Sequence, residues 1–275
     1  EDGSVAAEIT ARPNLTDGSE QISITISNIP AGVGVDTSVS GGTYNPATGT
    51  WTLDLAPGQS FSGGPTFSQV ADGDADINNL VVTVTSTQLS SGDTEVSSTT
   101  FDILVDAVAD APNFTVNDVT GDEDTAIPLD ISASVNDTDG SESLVIVIRG
   151  VPSGGSLSAG TYNSTLGGYV LTPAELTGLT FTPPQHLSGI VTMTVDAVVT
   201  DSPVDGEITL TNNELTVSDT LAVNINPIAD APTLDVQNAQ VFEDGSVALQ
   251  IDARLVDNDS SENLTVRVEG IPAGW

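Results

Sequence analysis

The feature that most constrains the fold of this chain is an internal repeat of about 120 residues. Glu1-Asp2-Gly3 aligns with Glu123-Asp124-Thr125 and with Glu243-Asp244-Gly245, at offsets of 122 and 120 residues. Further landmarks keep these offsets, namely Asp17, Asp139 and Asp259, and the pairs Ile29-Pro30, Val151-Pro152 and Ile271-Pro272. A long period that persists along the chain predicts that one structural unit is built several times.

Each repeat carries hydrophobic residues that alternate with other residues, as in half-buried β-strands. The alternation is found at residues 5–11, 127–133 and 247–253, and again at 22–26, 144–148 and 264–268. Further strands are predicted at 51–55, 80–86, 100–105, 168–172, 190–199 and 215–225. Turn residues separate these segments, and helical periodicity is absent beyond a turn or two.

About seven strands per repeat with short turns predict an all-β fold of tandem immunoglobulin- or cadherin-like Greek-key β-sandwiches, arranged end to end. We expect a first sandwich at residues 1–110, which lacks its own first strand, and a second at 111–230. Residues 231–275 are predicted to be the N-terminal part of a truncated third repeat. The chain is therefore expected to be a fragment of a longer protein.

The charge of the chain indicates which partners it can bind. Thirty-nine Asp and Glu residues oppose four Lys and Arg residues, which gives a formal net charge of -35. This charge repels nucleic acid and anionic membranes and favours cations as partners. Strong acidity with few aromatic residues is also typical of disordered chains, but the regular alternation favours a folded protein. No run of apolar residues is long enough for direct membrane insertion, and no signal peptide is recognised.

Two kinds of acidic motif recur in register, and together they predict metal sites at the junctions between repeats. Linkers at 105–112 (VDAVADAP) and 226–232 (NPIADAP) are each followed by an acidic loop, at 137–142 and 257–262. Because each strand runs from one end of a sandwich to the other, counting strands places each linker at the same end as such loops. The predicted ligands of the first junction are Glu1, Asp2, Asp72, Asp74, Asp106, Asp110, Asp137, Asp139, Glu142 and Asp196, with Asp76 in the same loop as Asp74. Those of the second junction are Glu123, Asp124, Asn226, Asp230, Asp257, Asp259 and Glu262.

Calcium is the metal that these residue types favour, because it takes six to eight oxygen ligands from flexible loops. Zinc and copper are not expected, since the sequence has no histidine or cysteine cluster. Asp-x-Asp-Gly and Asp-Gly-Ser are also ordinary turn sequences, which is the alternative for any single motif. The first repeat has Leu15 where the others have Asp137 and Asp257, so a weaker site is expected there.

The linkers, the Glu-Asp corners, the 137–142 loop and the Val-Pro-Ser-Gly and Ile-Pro-Ala-Gly turns resemble the cadherin-like repeats of large bacterial adhesins. These are the type I-secreted repeats-in-toxin adhesins and their biofilm-associated relatives. The resemblance implies a structural extender segment at the bacterial cell surface, rigidified by calcium at the linkers. Its partners would be calcium ions and neighbouring repeats of the same chain, with the adhesion ligand bound elsewhere.

An enzyme and an adhesion module are the two alternatives to this expectation. An enzyme is not expected, because His186 is the sole histidine and no Gly-x-Ser-x-Gly motif occurs. A loop or edge position explains His186 more simply. A homophilic or glycan-binding adhesion module of a secreted protein remains the alternative, since sheet edges can pair without any motif. Tyr44, Trp51, Tyr162 and Tyr169 align pairwise between repeats, which favours a role in packing.

Overall fold

The structure, a computed structural model, describes residues 3–69, 73–137, 140–202, 213–257 and 259–272. Its regular elements are β-strands apart from a short 3-10 helix at Pro173–Leu176, so the predicted all-β fold is confirmed. The chain divides into two compact units. The first comprises Glu1–Ala111, Val135–Ser143 and Val199–Leu215, and the second Pro112–Ser134, Leu144–Val198 and Thr216–Trp275. The domain boundaries inferred from the repeat remain predictions.

The first ten strands lie within the N-terminal 111 residues. They are β1 Ser4–Ala6, β2 Ile9–Ala11, β3 Glu20–Ser27, β4 Gly34–Asp36, β5 Thr43–Asn45, β6 Thr50–Asp54, β7 Phe61–Gly63, β8 Thr66–Ser68, β9 Ile77–Gln88 and β10 Thr94–Ile103. A five-stranded sheet has the order β10-β9-β3-β6-β5, and a three-stranded sheet has the order β1-β8-β4. Strands β2 and β7 form a separate pair.

Alternation in β3 shows why these strands form a sandwich. Ile22, Ile24 and Ile26 are buried, whereas the Ser and Thr residues between them are half-buried. The isoleucines belong to one hydrophobic core that also includes Trp51 of the same sheet and Phe67 of the three-stranded sheet. Because side chains alternate across a strand, one face of each sheet supplies this core.

The remaining strands repeat this plan. They are β11 Asn113–Asn117, β12 Val119–Asp122, β13 Ile127–Pro128, β14 Asp130–Ser134, β15 Glu142–Arg149, β16 Ser156–Leu157, β17 Thr161–Asn163, β18 Gly168–Leu171, β19 Thr180–Thr182, β20 Gly189–Asp201, β21 Glu214–Asn226, β22 Thr233–Val236 and β23 Ile251–Arg254. A six-stranded sheet has the order β12-β21-β20-β15-β18-β17, a three-stranded sheet the order β13-β19-β16, and β11 pairs with β14.

The sequence repeat is therefore a repeat of strand order. Strands β21-β20-β15-β18-β17 correspond to β10-β9-β3-β6-β5, and β13-β19-β16 corresponds to β1-β8-β4. The second sheet has an additional strand, β12, which pairs parallel to β21. Its equivalent in the first sheet is not among the described strands, and the missing first strand of the first repeat stays a prediction.

The aligned Gly-Thr-Tyr-Asn motifs have a backbone explanation. Gly42 and Gly160 have φ values of 80° and 88°, in the left-handed region that favours glycine. A Cβ atom at Gly42 would lie 2.7 Å from the Trp51 indole nitrogen, and one at Gly160 would lie 2.7 Å from Leu171 Cγ. Both motifs therefore conserve close packing at the start of β5 and β17.

Four strand predictions need correction. The single strand expected at residues 5–11 is divided into β1 and β2, because β1 pairs with β8 whereas β2 pairs with β7. The strand expected at 127–133 is divided in the same way into β13 and β14, which pair with β19 and β11. Within the segment expected at 247–253, the strand begins at Ile251. The strand expected at 264–268 is not formed in the described part of the C-terminal segment, where Leu264, Val266 and Val268 are exposed. That segment has only the β22–β23 pair, and two strands without a partner sheet bury little apolar surface.

Candidate metal centre

The first acidic site lies within the first unit and is organised around Glu142, the first residue of β15. The backbone N–H of Asp110, in the linker after β10, donates a 2.8 Å hydrogen bond to Glu142 Oε1. The other oxygen, Oε2, is buried and has no hydrogen-bond partner among the described residues. One carboxylate oxygen thus fixes the linker while the second remains available to a cation.

The electrostatics of Glu142 show that it shares its surroundings with other carboxylates. Burial raises the pKa of Glu142 above its ordinary value of 4.5, and the nearby carboxylates of Asp137 and Asp110 raise it further. Hydrogen bonds from the backbone N–H groups of Asp110 and Asp137 act in the opposite direction. Because like charges and burial both disfavour an ionised carboxylate, a cation at this position would relieve an existing cost.

Asp201, the last residue of β20, is the most deeply buried carboxylate of the first site. It is 0% exposed, and both carboxylate oxygens are buried without a hydrogen-bond partner among the described residues. Its backbone N–H donates to the Asn213 carbonyl at 2.9 Å, while the next amide, Ser202 N–H, donates to Ser141 at 3.3 Å. These bonds hold the end of β20 against the loop that precedes Glu142.

Other predicted residues of the first site lie in the same unit. Asp74 and Asp137 are buried, with 4% and 5% exposure. Ser141 Oγ lies 3.4 Å from Asp137 Oδ2 within the acidic loop. Asp76 Oδ1 accepts a 2.9 Å hydrogen bond from the Val105 amide, so the loop containing Asp74 and Asp76 contacts the linker, as strand counting predicts. Asp106 follows Val105 in that linker and is half-buried.

The second acidic site, within the second unit, repeats the central contact of the first. The Asp230 amide donates a 2.5 Å hydrogen bond to Glu262 Oε1, and Glu262 Oε2 is buried without a partner among the residues that the structure describes. Asp230 and Glu262 each follow Asp110 and Glu142 by 120 residues. The same linker-to-glutamate contact therefore forms twice in one chain.

Glu123 adds a second glutamate of the same type. Glu123 is 2% exposed, and its Oε1 accepts a 2.5 Å hydrogen bond from the Ile228 amide. Its Oε2 is buried without a hydrogen-bond partner among the described residues. Glu123, Asp257 and Asp259 each offer a carboxylate oxygen, and these atoms lie within 4.8 Å of one another. Such a set of oxygens can hold a hard cation.

The loop that carries Asp257 and Asp259 is organised by its own polar groups. Asp257 Oδ1 accepts from the Asp259 amide at 2.8 Å, and Asp259 Oδ1 accepts from the Ser261 amide at 2.7 Å. Ser188 donates both its amide and its hydroxyl to Asp259 Oδ2. The hydrogen bonds from Ser188 and Ser261 lower the pKa of Asp259, so this carboxylate stays ionised.

A nitrogen donor also belongs to the second site. His186 Nδ1 lies 2.6 Å from Asp230 Oδ2 and 3.4 Å from Asp124 Oδ2. The His186 amide donates a 2.9 Å hydrogen bond to Asp124 Oδ1. Asp124, His186 and Asp230 each place a ligand atom within 4.8 Å of the others.

Two predicted ligands have different surroundings. Asp196 is 3% exposed, forms an ion pair with Arg149 and accepts a 2.6 Å hydrogen bond from Ser218 Oγ. Its charge is compensated within its own sheet by Arg149, and its role as a metal ligand stays a prediction. The Asn226 side-chain amide donates a hydrogen bond to Asp122. The Asn226 backbone carbonyl accepts a hydrogen bond from the Glu123 N–H, so Asn226 positions Glu123.

Four predicted ligands lie outside the described residues. They are Glu1, Asp2, Asp72 and Asp139.

Sequence reasoning missed two site residues, and both left a trace in the sequence. Met193, Val195, Ala197 and Val199 occupy the buried face of β20, and Asp201 continues the same alternation. A carboxylate at an apolar position is a recognisable signal. His186 stands five residues after Phe181, where Asp72 stands five residues after Phe67, so a histidine replaces a repeat carboxylate.

The first site and the Glu123 group offer the chemistry that calcium requires. Their donors are carboxylate oxygens, many of which are buried and lack a compensating donor. Calcium binds such oxygens at 2.3–2.6 Å with flexible geometry. The Glu123, Asp257 and Asp259 group therefore fits calcium in its donor types and spacing, and the carboxylates of Asp137, Glu142 and Asp201 in the first unit are of the same chemical type.

Comparisons with known proteins gave similarities of fold only. No protein-family model matches the chain, and no curated protein matches it. Among solved structures, the human desmocollin-1 ectodomain matches 81% of this chain and 37% of its own chain, with 14% identity and a TM-score of 0.29. Chicken VE-cadherin EC1-2 matches 81% of this chain and 92% of its own, with 9% identity and a TM-score of 0.24. This chain thus spans little more than a third of the desmocollin-1 ectodomain chain. No helix in the described residues has the length and apolar character needed to cross a membrane.

Proposed function

We propose that this chain is a calcium-stabilised structural extender segment of a bacterial cell-surface adhesin. One observation carries the proposal. Glu142 and Glu262 each accept a hydrogen bond from a linker amide through Oε1 and keep a buried Oε2 that has no hydrogen-bond partner in the described part of the chain. A buried carboxylate without a compensating group is costly, and its repetition at a spacing of 120 residues favours a shared purpose.

Calcium binding would explain why these buried carboxylates recur. Its charge compensates the buried carboxylates, and it would hold the linker and the acidic loop in one arrangement. Since metal binding to the folded state adds to folding free energy, the ion acts as a stabilising cofactor. A net charge of -35 also makes the compact chain repel itself, which bound cations reduce.

The extender role follows from the position of the sites at the recurring linkers. With calcium at each linker, successive repeats of one chain would act as a stiff series, and the adhesion ligand would be bound by another part of the protein. The cell-surface location and type I export rest on the resemblance of the linker and corner motifs to bacterial adhesin repeats. Extracellular calcium-binding modules operate at dissociation constants of about 10⁻⁴–10⁻³ M, which suits this location. The proposal assigns no catalytic role to the chain.

One observation keeps an adhesion module as a second candidate. Tyr162 is 58% exposed and lies edge-on to Tyr169 with ring centroids 5.4 Å apart. Tyr162 aligns with Tyr44, which packs against the first core, and Tyr169 aligns with Trp51, which is fully buried. Tyr162 packs on the half-buried Tyr169 across β17 and β18, but more than half of its side chain stays exposed. An exposed aromatic ring is a suitable surface for a glycan or a second copy of the chain. Sedimentation with calcium distinguishes the candidates, because an extender segment stays monomeric whereas a homophilic module dimerises.

Thermal unfolding of the whole chain with excess calcium and with chelator tests the proposed function. At calcium a hundred times above its dissociation constant, each independent site adds about 2.7 kcal/mol to the free energy of unfolding. Small-angle scattering of the same samples should show a longer and stiffer particle with calcium. Magnesium at equal ionic strength is the control. Equal melting temperatures in calcium and chelator would overturn the proposal.

A further inference from the structure

The second acidic site contains a group of donors with a different chemistry from the calcium-type oxygens. Asp124, His186 and Asp230 combine two carboxylate oxygens with an imidazole nitrogen, all within 4.8 Å of one another. The rest of the site offers oxygens only. His186 is the sole histidine of the chain, and its side chain is 19% exposed.

The contact between His186 and Asp230 calls for a positive charge between the two side chains. His186 Nδ1 and Asp230 Oδ2 are 2.6 Å apart, and both atoms are buried without hydrogen-bond geometry to any described residue. A neutral imidazole nitrogen that lacks a proton is an acceptor, as is a carboxylate oxygen. Two acceptors at this distance repel unless a proton or a metal ion lies between them.

Neighbouring contacts hold the donors in place before any ion binds. The Asp124 carboxylate is fixed through Oδ1 by the His186 amide, which leaves Oδ2 facing the imidazole. The Asp230 backbone is fixed by Glu262, and the adjacent Glu123 carboxylate is 2% exposed with one oxygen lacking a partner. The surrounding field is therefore negative, which favours a positive charge between the imidazole and the carboxylates.

The donor types select among dications. Calcium takes oxygen ligands, whereas imidazole with carboxylates suits zinc and related transition metals. Zinc–nitrogen and zinc–oxygen distances near 2.1 Å place neighbouring donors of a tetrahedral site about 3.4 Å apart. The Nδ1 to Asp124 Oδ2 distance is 3.4 Å, and the 2.6 Å contact to Asp230 needs to open by less than an ångström.

We propose that Asp124, His186 and Asp230 bind a transition-metal dication of the zinc class, with water completing the coordination. The site goes beyond the proposed calcium role, because it uses the one nitrogen donor and takes a different metal. It is also specific to the second repeat, since the residue aligned with His186 in the first repeat is Asp72. Two repeats with the same calcium-type framework would thus differ in metal selectivity.

Zinc titration of the whole chain in saturating calcium tests the site. Calorimetry should show one zinc ion bound per chain, and His186→Gln should weaken this binding at least tenfold. Cobalt(II) serves as a spectroscopic probe, because an imidazole ligand in a four-coordinate site gives visible absorption that the variant should lose. His186→Asp, which restores the carboxylate of the first repeat, should also lose the zinc preference.

The outcomes separate this proposal from the calcium role. Far-ultraviolet dichroism and the calcium-dependent melting shift, both measured without zinc, show whether each variant folds. Zinc binding that His186→Gln leaves unchanged would mean that surface carboxylates hold the ion and would overturn the proposal. Absence of zinc binding in calcium would overturn it as well. Neither result would alter the calcium-dependent melting shift of the unmodified chain.

Discussion

The two acidic sites share a framework but differ in how their buried charges are compensated. In both sites a glutamate, Glu142 or Glu262, accepts a hydrogen bond from a linker amide through one oxygen. Its other oxygen is buried without a hydrogen-bond partner among the described residues. The first site adds Asp201, whose two oxygens lack any described donor. The second site adds His186, whose nitrogen faces the Asp230 carboxylate. The framework is repeated, whereas the groups placed around it are not.

This difference shows which part of a repeat is fixed by folding and which part is free to change. The glutamate-to-linker contact joins each acidic loop to its linker, at the start of β15 for Glu142 and in a segment without a described strand for Glu262, so it does not depend on the neighbouring sheet. The neighbouring positions lie at a strand end and in a loop, where substitution alters the charge without altering the sheet. Asp196 provides a reference, since its buried negative charge is compensated by the Arg149 side chain.

The largest effect is expected when that reference ion pair is broken. Arg149→Gln leaves the 3%-exposed Asp196 carboxylate without its counter-charge, and loss of one partner of a buried pair costs about 3–5 kcal/mol. Because the Arg149 side chain is 39% exposed, we expect a loss below that range, about 2–3 kcal/mol, in urea unfolding.

Arg254→Gln is the matched control for this measurement. Arg254 and Asp252 form a pair in which both side chains are more than half exposed, so its loss should cost below about 1 kcal/mol. Equal losses for the two arginine variants would show that Asp196 does not depend on Arg149.

A second substitution tests whether Asp201 is an uncompensated charge. Asp201→Asn keeps the side-chain volume and removes the charge, so without calcium it should stabilise the protein by about 1–3 kcal/mol. With calcium the same change should weaken binding and lower the melting temperature. A reversal of sign between chelator and calcium, measured by thermal unfolding, is the expected result.

Asp196→Asn is the control for Asp201→Asn. Because Asp196 has a counter-charge, its replacement should destabilise the protein in both conditions. If Asp201→Asn is destabilising in chelator too, the carboxylate has a compensating group and the comparison between the two aspartates fails.

Much of this fold could be predicted, because the strong alternation of residues 22–26, 144–148 and 190–199 reflects burial of one sheet face. Strand ends were less accessible to prediction. The division between β1 and β2 depends on which strand each half pairs with, and pairing is a tertiary property. The segment at 264–268 has the right alternation but no partner sheet, so pattern alone overstates its order.

The candidate site was predicted in outline for a similar reason. Recurring motifs identified Asp110, Glu142, Asp230 and Glu262, since the linker amide contacts the loop glutamate at both recurrences. Asp201 and His186 were missed because each occurs in one repeat only, and a search for recurrence ignores such residues. The pairing of Asp196 with Arg149 could not be predicted from recurrence, because it joins two strands far apart in sequence.

A third pair of variants tests the equivalence of the two glutamates. Glu142→Gln and Glu262→Gln each retain an acceptor for the linker amide but lose the charge. Each should reduce calcium affinity at its own site about tenfold, or about 1.4 kcal/mol, in calorimetric titration. Glu20→Gln is the control, because Glu20 aligns with Glu142 but accepts an exposed hydrogen bond from the Leu15 amide. Unequal losses in the two variants would show that the shared framework does not set affinity.

The smallest effect is expected in the pH dependence of the first site. Burial and the carboxylates of Asp137 and Asp110 raise the pKa of Glu142, so without calcium the folded state holds its proton to higher pH than the unfolded state. Stability from this group is therefore present below the ordinary value of 4.5 and is lost as pH rises through the raised pKa.

Other carboxylates titrate in the same range, so the difference in the free energy of unfolding between the unmodified chain and Glu142→Gln isolates the contribution of Glu142. In chelator the difference should fall with rising pH, and with calcium it should rise, since calcium binds the deprotonated form and releases the proton. A difference that is independent of pH in both conditions would place Glu142 in solvent rather than among the buried carboxylates of the first site.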